Sequence, residues 1–327
     1  MRTTHTRSIH LAGPATGTAN AAWFTVREVE VPAPGAGELA LRPLIVSVDP
    51  YLMMPLRNGA FGDGPVRSRI IAVVEQSEAP GYAPGDIVLG FAPWQERMTM
   101  PANEMRIIRP VLPLPAYLGL AGHSGFTAMV GMDILDPQPG QTVTISSAAG
   151  MVGLVAAQLA KAAGARVVAI AGGDKARRVA DLFGLDGAVD HVPPDLAGRL
   201  AAACPAGIDR HFENVGAKIL DPVFALANRK ARIALCGMIQ HYGDEAPICF
   251  DHFRKVLLSS IQILPFSIYD EDARQPADLA RLEDFAQRGL LHAPETIHAG
   301  FEGIVPGFLA MLHGDGIGKH LVRLGES

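Results

Sequence analysis

The residues with the clearest chemical potential form a turn of small side chains at 147–153, between an apolar stretch and an Ala-rich stretch. Small side chains let backbone N–H groups approach a pyrophosphate, and the start of the following helix adds a partial positive charge. Gly153 also allows the helix to pack closely on the preceding strand. The turn therefore predicts a dinucleotide-phosphate site, with a purely structural turn as the open alternative. The residues assigned to cofactor binding here are Ala149, Gly150, Met151, Val152 and Gly153.

The choice between NAD(H) and NADP(H) depends on the residues after the second predicted strand, which are Gly172 and Gly173. An acidic side chain at this position usually binds the ribose of NAD(H), and here the two glycines replace it. Cations follow at Lys175, Arg177 and Arg178. They could pair with the 2′-phosphate of NADP(H), or they could form the solvated first turn of a helix. We predict NADP(H), with Gly172, Gly173, Lys175 and Arg177 among its binding residues.

A strand–helix–strand unit must position these residues. The sequence predicts a strand at 141–147, a helix at 152–163 that ends before Gly164, and a second strand at 165–171. Further apolar stretches at 208–212 and 232–236 are each followed closely by glycine and predict buried strands. This alternation is typical of an α/β fold, the doubly wound parallel sheet of a Rossmann domain.

The first third of the chain has a different character. Turn sequences rich in Pro and Gly at 32–37 and 83–86 precede short apolar stretches, which predicts a small β-rich barrel. The pattern changes near Gly119, and turn-rich sequence returns after Gly300. We therefore expect a catalytic domain at 1–118, a Rossmann domain at 119–299, and a segment at 300–327 that returns to the first domain.

Composition limits the classes of partner. The net charge of -5 and the absence of a Lys/Arg cluster argue against nucleic acid. No apolar run is long enough to span a bilayer and the first residues do not resemble a signal peptide, so we expect a cytoplasmic protein. The three cysteines have no C-x-x-C spacing and the histidines no H-E-x-x-H spacing, so we predict no metal site.

Several motifs, in their order along the chain, resemble those of the zinc-independent medium-chain dehydrogenase/reductases, in particular the prostaglandin and alkenal double-bond reductases. They cover most of the sequence. The similar stretches are V-D-P-Y at 48–51, A-G-H-S-G-F-T-A at 121–128, the turn at 147–153, E-N-V-G at 213–216, C-G at 236–237 followed by Tyr242, and G-D-G-I-G-K at 314–319.

The resemblance implies a GroES-like β-barrel domain joined to the Rossmann domain, an active site in the cleft between them, and a homodimer without catalytic zinc. It implies NADPH-dependent reduction of the carbon–carbon double bond of α,β-unsaturated aldehydes and ketones, with hydride transfer to the β-carbon. Tyr242 and Tyr51 become the expected catalytic residues, with a packed interface tyrosine and a packed aromatic after a turn as their respective alternatives. The further cofactor residues it implies are Thr127, Asn214, Cys236 and Gly237.

This sequence also departs from the family pattern. Ala176 stands where relatives carry a phosphate-binding lysine, which leaves Lys175 or Arg177 for that contact, and Gly316 replaces an asparagine associated with the cofactor. Met53 and Ser267 replace an arginine and a tyrosine of the substrate pocket. Two other functions therefore stay open: an NADPH:quinone or carbonyl reductase on the same scaffold, and a cofactor-bound sensor without turnover.

Overall fold

The computed structural model describes residues 4–243 and 246–325. The described chain divides into two compact units. Unit 1 holds the residues up to Leu118, Glu295–Gly316 and the residues from His320 onward, and unit 2 holds Gly119–Pro294 and Ile317–Lys319. Within the described ranges, no helix combines the length and the apolar character needed to cross a membrane.

The strands and helices are defined here in chain order. The strands are β1 Thr4–Leu11, β2 Phe24–Val31, β3 Glu38–Ser47, β4 Arg67–Ser77, β5 Ile87–Pro93, β6 Met98–Pro101, β7 Met105–Ile107, β8 Thr142–Ser146, β9 Arg166–Ala171, β10 Gly187–Asp190, β11 Ile208–Glu213, β12 Ala227–Leu235, β13 Gln262–Pro265, β14 Glu295–Ala299 and β15 Lys319–Arg323. The α-helices are α1 Met53–Arg57, α2 His123–Leu135, α3 Met151–Ala162, α4 Lys175–Phe183, α5 Leu196–Ala203, α6 Ala217–Leu226, α7 Arg254–Leu258, α8 Gln275–Gln287 and α9 Ile304–His313.

Unit 2 contains a six-stranded parallel sheet in the order β10-β9-β8-β11-β12-β13. All five residues of β8 are buried, as expected for a strand covered on both faces. The chain runs from β8 outward to β10 and then resumes on the other side of β8 with β11. This reversal creates a crevice at the carboxyl ends of β8 and β11, which is where such sheets bind ligands. The predicted Rossmann sheet is confirmed.

The fit between α3 and the sheet explains the small residues in that helix. Gly153, Ala156, Ala157 and Ala160 are buried, and side chains of this size let the helix axis approach the strands. The structure begins α3 at Met151, one residue before the predicted start, and ends it one residue before the predicted end. The strand predicted at 232–236 is the second part of a longer strand, β12.

Unit 1 is mainly antiparallel. Its seven-stranded sheet has the order β14-β15-β3-β4-β5-β7, with β6 paired to β3, and β1 and β2 form a separate hairpin. The expected division at 299 and 300 separates β14 from the strand beside it, β15, which pairs with β3. In the structure β14 belongs to unit 1, because its backbone hydrogen bonds are made within this sheet.

Candidate active site

The small-residue turn has the geometry of a phosphate cradle. It leaves β8 through Ser147, whose φ of 50° is in the left-handed region, and the Ala148 N–H donates to the Ile170 carbonyl at 3.0 Å. Gly150 precedes α3 and has no side chain with which to cap the helix, so the first N–H groups of α3 face the position that an anion would take. A Cβ at Gly153 would lie 2.5 Å from the Ser147 carbonyl oxygen. Glycine is therefore required where α3 crosses the turn.

A segment near the carboxyl end of the chain supports this turn. The Gly318 N–H donates to the Ala149 carbonyl at 2.7 Å, and Gly150 and Gly318 form a parallel bridge. Gly318 has a φ of 87°, and a Cβ there would overlap the Pro294 carbonyl oxygen. Sequence reasoning recognised 314–319 as a motif but gave Gly318 no role. The alternate spacing of three glycines was the available signal, since it indicates a backbone that must pass very close to other backbone.

The end of β9 carries the residues predicted to select the cofactor. Gly173 has a φ of 64°, and α4 begins two residues later. Lys175, the first residue of α4, is half-buried, whereas Arg177 is exposed. Ala176 is 1% exposed, so a lysine at that position would need space that the helix packing does not provide. Lys175 is therefore the better-placed of the two predicted cations.

A histidine that sequence reasoning missed lies beside these residues. His191 directly follows β10, and a Cβ at Gly172 would be 3.4 Å from its Nε2 atom. Its Nδ1 atom is buried and has no hydrogen-bond partner among the described residues. Burial lowers the pKa of His191, and the nearby charges of Lys218 and Lys175 lower it further. Lys175, His191 and Lys218 therefore form a group of basic side chains that a bound anion would stabilise in their charged forms.

Asn214 joins the two strands that flank the crevice. Its side-chain amide donates to the Ser146 carbonyl at 2.8 Å, and its backbone N–H donates to the Ser146 hydroxyl at 2.7 Å. The carboxyl ends of β8 and β11 are therefore held together at the point where the chain order reverses. The predicted cofactor residue Asn214 lies at this point.

A buried carboxylate supports the loop that contains Asn214. Glu213 is fully buried and accepts hydrogen bonds from the Ser146 hydroxyl at 3.1 Å, from the Gly216 N–H at 2.8 Å and from the Val215 N–H. Its other oxygen is 2.6 Å from His211 Nε2. A buried charge is stable only when such partners satisfy it. The loop between β11 and α6 is therefore closely fixed around Glu213.

Tyr242 lies beyond the end of β12. A Cβ at Gly237 would be 2.7 Å from the Tyr242 hydroxyl, so the phenol lies across this glycine. Burial raises the pKa of Tyr242, against the opposing effect of a hydrogen bond from the Met238 backbone. The phenol is therefore protonated at neutral pH and can donate a hydrogen bond. Burial also raises the pKa of the Cys236 thiol to about 12, with Glu213 adding to the effect, so Cys236 remains a neutral thiol.

Not all of the predicted residues come together in unit 2. Most of them follow the carboxyl ends of parallel strands, which share one edge of the sheet. These are the predicted residues in the turn, the residues after β9, Asn214, and the residues in 236–242. Thr127 lies on α2, where its hydroxyl donates to the His123 carbonyl at 2.8 Å. Tyr51 belongs to unit 1, where Arg69 Nη1 donates to its hydroxyl at 3.3 Å.

Over residues 4–243 and 246–325, no three His, Cys, Asp or Glu side chains form a group that could hold a metal ion. His211 and Glu213 form a buried pair, and the Thr144 hydroxyl lies 2.7 Å from the other ring nitrogen of His211, Nδ1.

Comparison with known proteins identifies the family. Two family models match the chain, one described as N-terminal domain of oxidoreductase at 7–108 and one as zinc-binding dehydrogenase at 151–285. The chain is 32% identical to the NADPH-dependent curcumin reductase of Escherichia coli, over 92% of both chains, and 32% identical to rat prostaglandin reductase 1, over 92% of this chain and 93% of that one. The crystal structure of CurA from Vibrio vulnificus in complex with NADPH is 32% identical, with a TM-score of 0.90 and coverage of 98% of this chain and all of that one.

These likenesses extend over residues of both units. One family model covers 7–108 in unit 1, and the other covers 151–285, which begins inside the turn at Met151 and includes the Tyr242 segment. The predicted family is confirmed. The chain belongs to the zinc-independent medium-chain dehydrogenase/reductases, in the group that contains the prostaglandin and alkenal double-bond reductases.

Proposed function

We propose that this protein uses NADPH to reduce the carbon–carbon double bond of α,β-unsaturated aldehydes and ketones. Its family contains NADPH-dependent curcumin, prostaglandin and 2-alkenal reductases, at 30 to 32% identity over about nine-tenths of the chain. The observation in the structure that carries the proposal is the neutral phenol of Tyr242, held across Gly237 at the carboxyl edge of the Rossmann sheet. A protonated donor at this edge suits a carbonyl oxygen that gains negative charge.

The reaction requires a hydride at the β-carbon, stabilisation of the carbonyl oxygen and a proton at the α-carbon. NADPH supplies the hydride when it is bound. Tyr242 donates a hydrogen bond to the substrate oxygen, and this bond strengthens as charge develops there. The raised pKa of Tyr242 keeps the phenol protonated at neutral pH, and water supplies the proton that the α-carbon gains. For Tyr51, whose hydroxyl is oriented by Arg69, we propose a contact with the substrate.

The residues at the carboxyl edge suit NADP(H). The N-terminus of α3 fits a pyrophosphate, and Gly153 lets the helix approach the turn closely, since a Cβ there would lie 2.5 Å from the Ser147 carbonyl oxygen. Lys175, His191 and Lys218 fit the 2′-phosphate, and the buried, unpartnered Nδ1 of His191 could pair with such an anion after protonation. The proposed cofactor residues are Thr127, Ala149, Gly150, Met151, Val152, Gly153, Gly172, Gly173, Lys175, Arg177, Asn214, Cys236 and Gly237.

The test follows the loss of NADPH absorbance with four kinds of substrate: enals, enones, saturated ketones and quinones. The proposal predicts turnover with enals and enones and a saturated carbonyl product, and it predicts that NADPH is preferred over NADH. Turnover with quinones or saturated ketones alone would identify the enzyme as a quinone or carbonyl reductase. Tight NADPH binding with no turnover of any substrate would identify a sensor.

We also propose that the protein is a homodimer. In the described sheet of unit 2, β13 is an edge strand bonded to β12 alone, and an edge strand offers unpaired N–H and C=O groups to a second copy. The adjacent segment exposes Phe253, Leu257 and Leu258, at 53%, 82% and 60%. Light scattering should give twice the chain mass of 34.6 kDa, and a value of one chain mass would refute the dimer.

For its surroundings, we propose the cytoplasm and a small-molecule substrate, with neither nucleic acid nor membrane as a partner. Cys204, Cys236 and Cys249 are unpaired, which suits a reducing compartment, and the net charge of -5 opposes binding to a phosphate backbone. Fractionation of the source cells checks the location, since recovery with the membrane or extracellular fraction would contradict it.

A further inference from the structure

The segment that carries Tyr242 is attached to α6 by side chains as well as by its backbone. The Ala217 N–H donates to His241 Nε2 at 3.2 Å, and the Lys218 N–H donates to Gln240 Oε1 at 3.1 Å. Ala217 and Lys218 are the first two residues of α6. Two adjacent side chains before Tyr242 therefore accept hydrogen bonds from the two opening N–H groups of one helix.

These bonds satisfy groups that the helix cannot satisfy by itself. The first N–H groups of an α-helix have no partner within the helix and are usually capped by the residue before it. That residue is Gly216, which has a φ of 126° and no side chain. A Cβ at Gly216 would lie 2.6 Å from His241 Cδ2, so the imidazole occupies the space above this glycine. Gln240 and His241 act as the missing cap.

The rest of the Tyr242 segment has little apolar support. None of Ile239, Gln240 and His241 is buried, and Gln240 is exposed. The backbone adds two bonds to the loop after β11, from the Ile239 N–H to the Asn214 carbonyl at 3.2 Å and from the Gln240 N–H to the Val215 carbonyl at 2.9 Å. Without a packed core, the direction of the chain entering Tyr242 depends on these polar contacts.

We propose that Gln240 and His241 are positioning residues that hold the Tyr242 hydroxyl at the place of reaction. This inference depends on the proposed role of Tyr242 and adds the means by which its phenol is held. His241 contributes Nε2 as the acceptor of the Ala217 N–H. Loss of the acceptor frees the segment, and a displacement of about 1 Å in a reacting group can lower turnover by up to a hundred-fold.

The experiment compares variants that remove or keep the acceptors. His241→Leu removes the acceptor and His241→Gln keeps an oxygen at a similar reach, while Gln240→Ala and Gln240→Glu form the matching pair. We expect His241→Leu to lower kcat with an enone by about ten-fold and Gln240→Ala to lower it by about three-fold. His241→Gln and Gln240→Glu should recover most of these losses. The Kd for NADPH should change by less than about two-fold, because the contacts act on the segment and not on the cofactor turn.

Repetition of His241→Leu in a Tyr242→Phe background separates this proposal from the proposed function. If His241 acts through the Tyr242 hydroxyl, the further loss in that background should be less than about two-fold. The same ten-fold loss in both backgrounds, or no loss in either, would overturn the positioning role and leave Tyr242 as the donor. Full turnover of Tyr242→Phe alone would overturn both. Should His241→Leu not fold, Gln240→Ala at the exposed position gives the same comparison, and an unchanged kcat there would count against the proposal.

Discussion

The turn at 147–153 and the segment at 236–242 lie at the same edge of the unit 2 sheet, yet they are held in different ways. The turn is fixed by backbone contacts and by the absence of side chains, as the space at Gly153 shows. The Tyr242 segment is fixed by the side chains of Gln240 and His241 and by the loop around Glu213. In this protein the proposed site for the cofactor phosphates is held by backbone contacts, whereas the proposed catalytic tyrosine is held by side-chain contacts.

The largest loss of activity is expected from a substitution in the segment at 236–242. Tyr242→Phe keeps the ring and removes only the hydroxyl, so kcat with enones should fall by about a hundred-fold or more while NADPH affinity changes little. Steady-state kinetics and a fluorescence titration with NADPH measure the two quantities. A variant with unchanged kcat would show that Tyr242 only packs against Gly237.

The next largest effect is expected from a substitution in the turn at 147–153. Gly153→Ala places a Cβ 2.5 Å from the Ser147 carbonyl oxygen, whereas Gly150→Ala brings a Cβ only to 3.3 Å from the Ser147 hydroxyl. Overpacking of this kind costs roughly 1–3 kcal/mol of folding stability. If the turn shifts to relieve the overlap, up to the same free energy is needed to restore its binding geometry, so NADPH affinity for Gly153→Ala should fall by up to about a hundred-fold. The control, Gly150→Ala, should be much milder. Equal affinities for the two variants would mean that the turn adapts and that its backbone is not the determinant.

The preference for NADPH over NADH depends on side chains that lie beside the turn at 147–153. Lys175→Ala should raise the KM for NADPH by about ten-fold, because a charge-assisted contact to phosphate contributes roughly 1.5–3 kcal/mol and part of this is lost to solvent. The KM for NADH should stay unchanged. Arg177→Ala is the comparison variant: Arg177 is the other proposed cofactor residue at the start of α4, but it is exposed, so its loss should raise the KM for NADPH less. If Arg177→Ala has the larger effect, the structure-based preference for Lys175 is wrong.

The smallest expected effect is a dependence of NADPH affinity on pH. Burial, Lys218 and Lys175 hold the pKa of His191 below its usual value, so the ring is neutral in the free enzyme at neutral pH. Asp190, the residue before it, has its pKa lowered by hydrogen bonds from Val192 and Gly173 and stays charged. A bound 2′-phosphate would raise the pKa of His191, and NADPH affinity should therefore increase by a few-fold as pH falls through that range. Titrations of the unaltered protein and His191→Gln at several pH values measure this, and identical pH profiles would exclude His191 from the phosphate site.

The sequence was sufficient for the parts of the molecule that backbone geometry determines. The continuous apolar strands and the small residues of 147–153 predicted the Rossmann sheet, and the ordered motifs predicted the family. The boundary at 299 and 300 followed a turn signal at Gly300, but β14 precedes that turn and bonds to a strand of unit 1. No local pattern in the sequence specifies such a distant partner.

The histidines that support the site could not be predicted either, because their partners are also distant in the sequence. His191 lies near Gly172, and His241 caps α6 from a segment 24 residues further along the chain. A single histidine in a loop has no periodicity or spacing that indicates its partner. The strands that end before Gly172 and before the His241 segment were predicted, whereas β10, which carries His191 at its end, was not. The pairing of residues across the edge of the sheet depends on strand order, which only the structure supplies.

The central claim is that hydride is delivered to the β-carbon of a conjugated carbonyl compound. It is tested most directly with an enone and NADPH that carries deuterium at both C4 positions, followed by analysis of the product by mass spectrometry and NMR. Hydride delivery to the β-carbon gives a saturated ketone with one deuterium atom on that carbon. Deuterium on the former carbonyl carbon of an allylic alcohol would contradict it and would identify a carbonyl reductase.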